Sequence, residues 1–256
     1  MIHPTAIVSS KARLCADVEI GAFTVVGDEV EIGSGTKIGS HVVIDGPTTI
    51  GRDNTVSSFS SLGAPPQDKK YAGEATRLEI GDRNTIREFC TFNRGTSQDA
   101  GVTRIGNDNW IMAYVHLAHD CQIGNNTIFA NNAQLAGHVH VGDWAILGGF
   151  TVVHQFVRIG AHSLTAMGTI LLQDLPPYVT AAGNTASPFG INSEGLKRRG
   201  FEAQAIAEIK AAYKTLYKSG LSLDAARQKL LERQQVVPEL AILAQFLQAG
   251  NRGIIR

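Results

Sequence analysis

Four of the eight histidines lie at His116, His119, His138 and His154. Asp120 follows His119, Gly137 precedes His138, and Gln155 follows His154. An imidazole beside a carboxylate has the make-up of a general base. The carboxylate orients the ring and favours the imidazolium formed when the ring takes a proton. A glycine presents a bare backbone N–H, which can hold an oxyanion. Histidine clusters also bind zinc, so a metal site is a second reading of the same residues. A lone histidine in such a place is ordinarily a solvated turn residue; four together ask for another account. The segments are far apart in sequence, so something must bring them together.

A hexad repeat does so. Stepping by six from Ile2 meets Val8, Leu14, Ile20, Val26, Ile32, Ile38, Ile44, Ile50, Val56 and Leu62, all aliphatic. Glycine often follows, and four residues after the aliphatic comes a small or β-branched residue such as Val18, Thr24, Val30 or Thr36. The pattern resumes at Ile80, Ile86 and Phe92, then shifts by one residue and runs from Ile105 through Leu117, Leu135 and Val153 to Leu171, with Thr165 its one polar member. A period of six fits neither a helix nor simple alternation. It fits a parallel β-helix in which each coil is three hexads, one short flat face per hexad. Asn125-Asn126 and Asn131-Asn132 suit the turns, where positive φ is needed. No coil buries its own inward face, so stability comes from stacking neighbours. The usual rule for parallel crossovers favours a right-handed coil.

Residues three hexads apart then stand in one column. His119, Gly137 and Gln155 share a column; Asp120, His138 and Phe156 share the next; Ala118, Ala136 and His154 share the one before. Three coils therefore gather the chemistry-bearing residues into a patch roughly 10 Å tall. His119 and Asp120 are expected at a corner, both pointing outward.

The repeat is interrupted twice. The stretch between Leu62 and Ile80 keeps the register and reads as a coil whose faces bulge into a loop, an excursion over about 63–79. The stretch between Phe92 and Ile105 shifts the register and must loop out over 93–104. Pro176-Pro177 reads as the end of the β-helix, with a linker after it. From Ser193 the period is helical. Stripes at Ile206, Ile209, Tyr213, Leu216 and Tyr217, then at Leu223, Ala226, Leu230 and Leu231, predict two helices. Pro238 suits the first turn of a third, with Leu240, Leu243 and Leu247 inward. The expected organisation is a β-helix over 1–192 and a helical domain over 193–256.

With 256 residues, 43% hydrophobic and 18% charged, the chain can bury a substantial core. A formal net charge of zero argues against a nucleic-acid binder. Cys15, Cys90 and Cys121 make an odd count without tight spacing, which implies a reducing compartment and no disulfide framework or cysteine-based zinc site. The N-terminal MIHPTAIVSS resembles no signal peptide, and no apolar run is long enough for a membrane span. A cytoplasmic location, and no integral membrane segment, are expected.

The segments HLAHDCQIGNN, NNAQLAGHVHVGD, GGFTVVHQFVRIGAHS, DLPPYV and INSEGLKRRGF are more specific than the hexads. With QDKKYAGE, IREF and RGT they resemble the UDP-N-acetylglucosamine 3-O-acyltransferase family, a branch of the hexapeptide-repeat acyltransferases that opens lipid A synthesis. The resemblance covers nearly the whole chain. It implies a left-handed parallel β-helix, against the general crossover rule, and a homotrimer with active sites in clefts between prisms. It implies transfer of an (R)-3-hydroxyacyl chain from acyl carrier protein to UDP-N-acetylglucosamine, without metal or bound cofactor. His119 would be the general base, Asp120 its orienter, and Gly137 the oxyanion donor. His116, His138, His154 and Gln155 would line the sugar and diphosphate site. Asp68 and Lys70 would contact the glucosamine and the acyl substrate. Asn192, Glu194, Arg198 and Arg199 would hold the uridine and phosphates, arginine being suited to phosphate. Basic residues including Lys197, Lys210, Lys214 and Lys218 could steer an acidic carrier.

The chain departs from the family pattern in places. Asn93 stands where members often have histidine, and Thr185 where some do. Met167 stands where relatives that take long acyl chains have glycine, which predicts a medium-length 3-hydroxyacyl preference with Met167 closing the far end of the groove. Rival readings are an N-acyltransferase on a UDP-amino sugar, a CoA-dependent acetyltransferase, a zinc-dependent anhydrase and a silent scaffold. The N-acyltransferases usually carry a domain before the hexads, whereas here the repeat begins at Ile2.

Overall fold

The computed structural model describes residues 1–250 and 252–256. The fold is a left-handed parallel β-helix followed by helices. Two-residue strands recur every six residues: Ile7–Val8 begins the first face, Arg13–Leu14 the second and Glu19–Ile20 the third. Each strand pairs in parallel with the strand one coil on, as in Leu117 with Leu135 and Leu135 with Val153. The predicted aliphatics fill the prism. Ile44, Ile86, Ile111, Leu117, Phe129 and Leu147 are all fully buried, each worth about 1.5–3 kcal/mol relative to exposure. Thr165 is buried among them and exchanges a 2.7 Å hydrogen bond with the Thr151 hydroxyl, which satisfies the one polar member of the series.

The turns differ from the expectation. Asn126 and Asn132 adopt positive φ as predicted, but so do Phe23, His41, Phe59, Phe89 and Tyr114. These five stack ring on ring at 4.8–5.1 Å along the corner between the third and first faces. Stacking one coil on the next offsets the conformational cost of the left-handed backbone there.

The register also corrects the reading of the first excursion. Ile80 pairs with Ile50 and not with Leu62. The step from Ile50 to Ile80 is one coil plus two hexads, so the extra length is inserted at one corner and no whole coil bulges. Ile105 pairs with Ile80. That step is one coil plus a hexad and a single residue, which accounts for the shifted register. Both insertions leave the prism between the first and second faces, at the corner that carries His119. Arg94 ties them down, donating to Gly46 O, Gly63 O and the Tyr71 hydroxyl.

Pro176-Pro177 does not end the β-helix. Val179–Ala182 pairs in parallel with the third face, Leu164 facing Thr180, and Ser187–Ile191 returns antiparallel to it. The prolines sit at a corner, where the chain turns and no ladder hydrogen bond is lost. The supposed linker is thus a strand pair closing the prism. Among the described residues four helices follow: α1 (Ser193–Arg198), α2 (Ala203–Tyr217), α3 (Leu223–Arg233) and α4 (Ala241–Gln248), the last entered through a 3-10 turn at Pro238–Leu240. Ile209, Leu216, Leu230, Leu243 and Leu247 form their shared core, as the stripes predict, while Leu231 is only half-buried. No helix among the described residues is long and apolar enough to cross a membrane.

Candidate functional site

The site lies at the corner between the first and second faces. The columns hold there. His138 N–H donates to His119 O at 3.0 Å and Phe156 N–H to Gly137 O at 3.1 Å, so the three coils are in the register that the hexad period requires. His119 Nδ1 lies 2.8 Å from Asp120 Oδ2. If Nδ1 carries the proton donated to Asp120, Nε2 keeps its lone pair free to accept one.

Asp120 points away from the prism interior but does not reach solvent; its side chain is 1% exposed. The second excursion covers it. Thr96 donates to the carboxylate from its backbone N–H at 2.9 Å and from its hydroxyl at 2.7 Å. The Thr103 hydroxyl accepts the Asp120 N–H at 2.7 Å. Burial pushes the Asp120 carboxyl up, but the hydrogen bonds from His119 and Thr96 outweigh it and hold the group below its ordinary range. The carboxylate therefore stays charged beside the ring, as an orienter must.

Gly137 leaves room for the His119 ring where it lies. A Cβ there would lie 2.6 Å from His119 Cε1 and 2.8 Å from Nε2. The imidazole thus rests against this glycine.

His138 Nδ1 bonds Asp99 Oδ2 at 2.7 Å, and its Nε2 faces Asp120 at 3.8 Å. His116 is half-buried on the first face, Nδ1 2.8 Å from the Thr91 hydroxyl, and burial lowers its affinity for a proton. His154 and Gln155 are exposed on the next coil; Arg252 donates to Gln155 O and meets His154 Nδ1 at 3.0 Å. Asp68 and Lys70 lie on the first excursion, where Asp68 Oδ1 accepts the Lys70 N–H at 3.0 Å. Asn93 is buried and donates to Pro65 O at 2.8 Å, so it anchors that excursion.

The remaining candidates stand elsewhere on the same prism. Asn192 is buried, caps α1 by accepting from Gly195 N–H, and donates to His162 O. Arg199 stacks over Trp144 and donates to Trp144 O, at the corner between the second and third faces. Glu194 pairs with Lys197 in solvent, and Arg198 is exposed. Met167, 76% exposed, lies at the third corner, between the third and first faces. One chain therefore gathers His119, Asp120 and the other histidines but does not bring the α1 residues or Met167 to them. Cavities of about 710 and 520 Å³ open near the N-terminal coils and between the second face and α4. Neither is lined by His119 or Asp120.

Donor atoms of His119, Asp120 and His138 lie within 4.8 Å of one another, a spacing that could suit a metal ion. Yet His119 Nδ1 and Asp120 Oδ2 face each other at hydrogen-bond distance, and Thr96 occupies the same carboxylate oxygen. That arrangement is a hydrogen-bonded imidazole and carboxylate, the make-up of a base with its orienter, rather than three ligands converging on a centre.

The sequence matches the family model for Udp N-acetylglucosamine O-acyltransferase domain 2 over residues 174–255, and the bacterial transferase hexapeptide model over 11–46 and 103–137. An acyl-[acyl-carrier-protein]–UDP-N-acetylglucosamine O-acyltransferase of Herminiimonas arsenicoxydans is 63% identical across 100% of this chain and 99% of its own length. The chain belongs to the UDP-N-acetylglucosamine O-acyltransferase family. A relative of the same description from Thiobacillus denitrificans is also 63% identical, with 100% and 99% covered. Among solved structures, LpxA of Acinetobacter baumannii superposes with a TM-score of 0.97 at 46% identity, covering 100% of this chain and 99% of that one. The Francisella novicida UDP-N-acetylglucosamine acyltransferase gives 0.99 at 40%, covering 100% and 94%. Within this family frame, column reasoning missed Thr96 and Asp99. The register shift marked their loop, but no column could be carried across it.

Proposed function

We propose that the protein transfers an (R)-3-hydroxyacyl group from acyl carrier protein to the 3-hydroxyl of UDP-N-acetylglucosamine, the first step of lipid A synthesis, in the cytoplasm. The observation that carries this is the His119 ring, held at 2.8 Å by a buried Asp120 and resting against Gly137, in a member of this family. His119 Nε2 takes the proton of the sugar 3-hydroxyl as that oxygen attacks the thioester carbonyl. Asp120 stabilises the imidazolium. The Gly137 N–H faces the oxyanion of the tetrahedral intermediate. Collapse breaks the carbon–sulfur bond, and the thiolate leaves with the proton from the imidazolium. The acyl ester of the UDP-sugar and the free carrier thiol are the products.

His116, His138, His154 and Gln155 line the sugar and diphosphate beside this corner, with Asp68 and Lys70 reaching in from the first excursion. Asn192, Glu194, Arg198 and Arg199 serve the uridine and phosphates from a neighbouring copy, because they lie at another corner of their own prism. Met167 likewise ends the acyl groove from another edge. A homotrimer with clefts between prisms supplies both. Lys210, Lys214 and Lys218 are all exposed, as a surface steering an acidic carrier requires.

The test is mass spectrometry of products from UDP-N-acetylglucosamine and mixed 3-hydroxyacyl carrier proteins. A monoacylated UDP-sugar from wild type and none from His119→Ala is the expected result. No product from wild type would refute the reaction.

A further inference from the structure

The second excursion reaches past Asp120 to the next coil. Asp99 Oδ2 lies 2.7 Å from His138 Nδ1. The plane of the His138 ring is set by other means. It stacks on Phe156 at 4.4 Å and 14°, and meets His119 edge-on at 5.1 Å and 88°. Packing of that kind fixes a plane but not which edge of the ring faces which way. A half-turn about the outer side-chain torsion exchanges Nδ1 with a carbon at almost no steric cost. A polar partner must break the tie.

We propose that Asp99 is a positioning residue. By accepting the Nδ1–H of His138, it fixes the ring so that Nε2 is the nitrogen turned toward Asp120 and the substrate. The inference rests on the proposed function, in which His138 meets the sugar nucleotide.

The groups around His138 agree with this. Asp99 faces it from the excursion, Asp120 at 3.8 Å and His119 from the preceding coil, and uncharged Phe156 from the coil after. His140 follows on its own strand, close enough to feel both His138 and Asp99. Asp120 is already occupied by His119 and by Thr96. Asp99 is therefore the carboxylate with capacity to spare for His138. Its side chain is 45% exposed, so replacing it leaves the coil stack intact.

The experiment uses the full-length protein labelled with ¹⁵N-histidine. Long-range proton–nitrogen spectra distinguish a protonated Nδ1 from a bare one. Wild type is expected to show Nδ1 of His138 protonated, and Asp99→Ala to lose that signature. Asp99→Ala is also expected to raise KM for UDP-N-acetylglucosamine by roughly tenfold, the size of one hydrogen bond to a charged group discounted for exposure. The kcat at saturation should change less. Asp99→Asn, whose amide oxygen accepts the same bond, should stay within about threefold of wild type. An unchanged nitrogen pattern in Asp99→Ala overturns the inference whatever the rates do. A changed pattern with unchanged KM overturns the positioning role. Failure of the asparagine to rescue would also count against it, because the bond would then not be what matters. If wild type makes no product, the reaction is refuted, while the nitrogen pattern still decides whether Asp99 holds the ring.

Discussion

Gly137→Ala separates the position of His119, the proposed base, from every other part of the site. The new Cβ would stand 2.6 Å from His119 Cε1. Carbon atoms rest about 3.5–4.0 Å apart, so the imidazole must retreat by roughly 1 Å. The backbone of Gly137 is not among the positive-φ residues, so alanine does not strain it. Alanine also keeps the N–H, which leaves the proposed oxyanion donor in place. What changes is the ring, whose 2.8 Å bond to Asp120 must stretch or tilt as it moves. A misplacement of about 1 Å costs on the order of 10²-fold in rate, or about 2.7 kcal/mol of barrier. Initial rates at saturating donor and acceptor measure it, with thermal unfolding as the control for an intact coil stack. The expected result is a kcat lowered by about two decades with Tm within a few degrees of wild type. A Gly137→Ala enzyme within threefold of wild type would show that the ring does not work from where it lies.

Thr96→Val removes the hydroxyl bonded to Asp120 at 2.7 Å and keeps the shape; leaving a buried carboxylate short of a partner should cost about 1–3 kcal/mol of stability, read by denaturant unfolding, with a slower rate at unchanged KM. Met167→Gly should move donor preference toward longer 3-hydroxyacyl chains in a competition assay, and unchanged preference would remove Met167 from the groove. His162 has its pKa lowered from 6.5 to about 4, chiefly by burial and then by Arg199. Its unfolded form takes a proton near pH 6.5 and its folded form only near 4, so the stability it supports is present above about 6.5 and is lost as pH falls through that window. His162→Asn should flatten the loss of Tm between about pH 6.5 and 4 because asparagine does not titrate, and it tolerates the left-handed backbone that His162 adopts at that turn.

The regular coils are legible because a period of six leaves each residue a single inward or outward role. Leu117, Leu135 and Val153 have to stack, and His119, Gly137 and Gln155 have to follow. Legibility is lost where the period is interrupted. The length inserted after Leu62 equals two hexads, so hydrophobic register alone mistakes a loop for a coil. Asp120 is expected in solvent because nothing in the columns reveals that the loop bearing Thr96 folds back over it. Pro176-Pro177 reads as a stop, yet prolines at a corner cost no ladder bond, and the strand resumes at Val179. Handedness comes from the family resemblance; a hexad count is the same for either hand.

The corners of the prism lead to the last prediction. His119 is on one edge, Arg199 on a second and Met167 on the third, and rows along a rigid prism cannot close on each other. If the site takes its base from one copy and its phosphate ligands from the next, two defective chains can complement. His119→Ala and Arg198→Ala, each first shown to be at least tenfold impaired, would be unfolded together in equal amounts and refolded as mixed assemblies. Random assortment puts an intact base beside an intact arginine at roughly a quarter of the clefts of a closed ring. The mixture should therefore recover about a quarter of the wild-type rate per chain, while the variants refolded separately and then combined recover none. If all these residues served one chain's own site, every cleft would keep a defect, and the mixed assemblies would be no faster than the mean of the two variants.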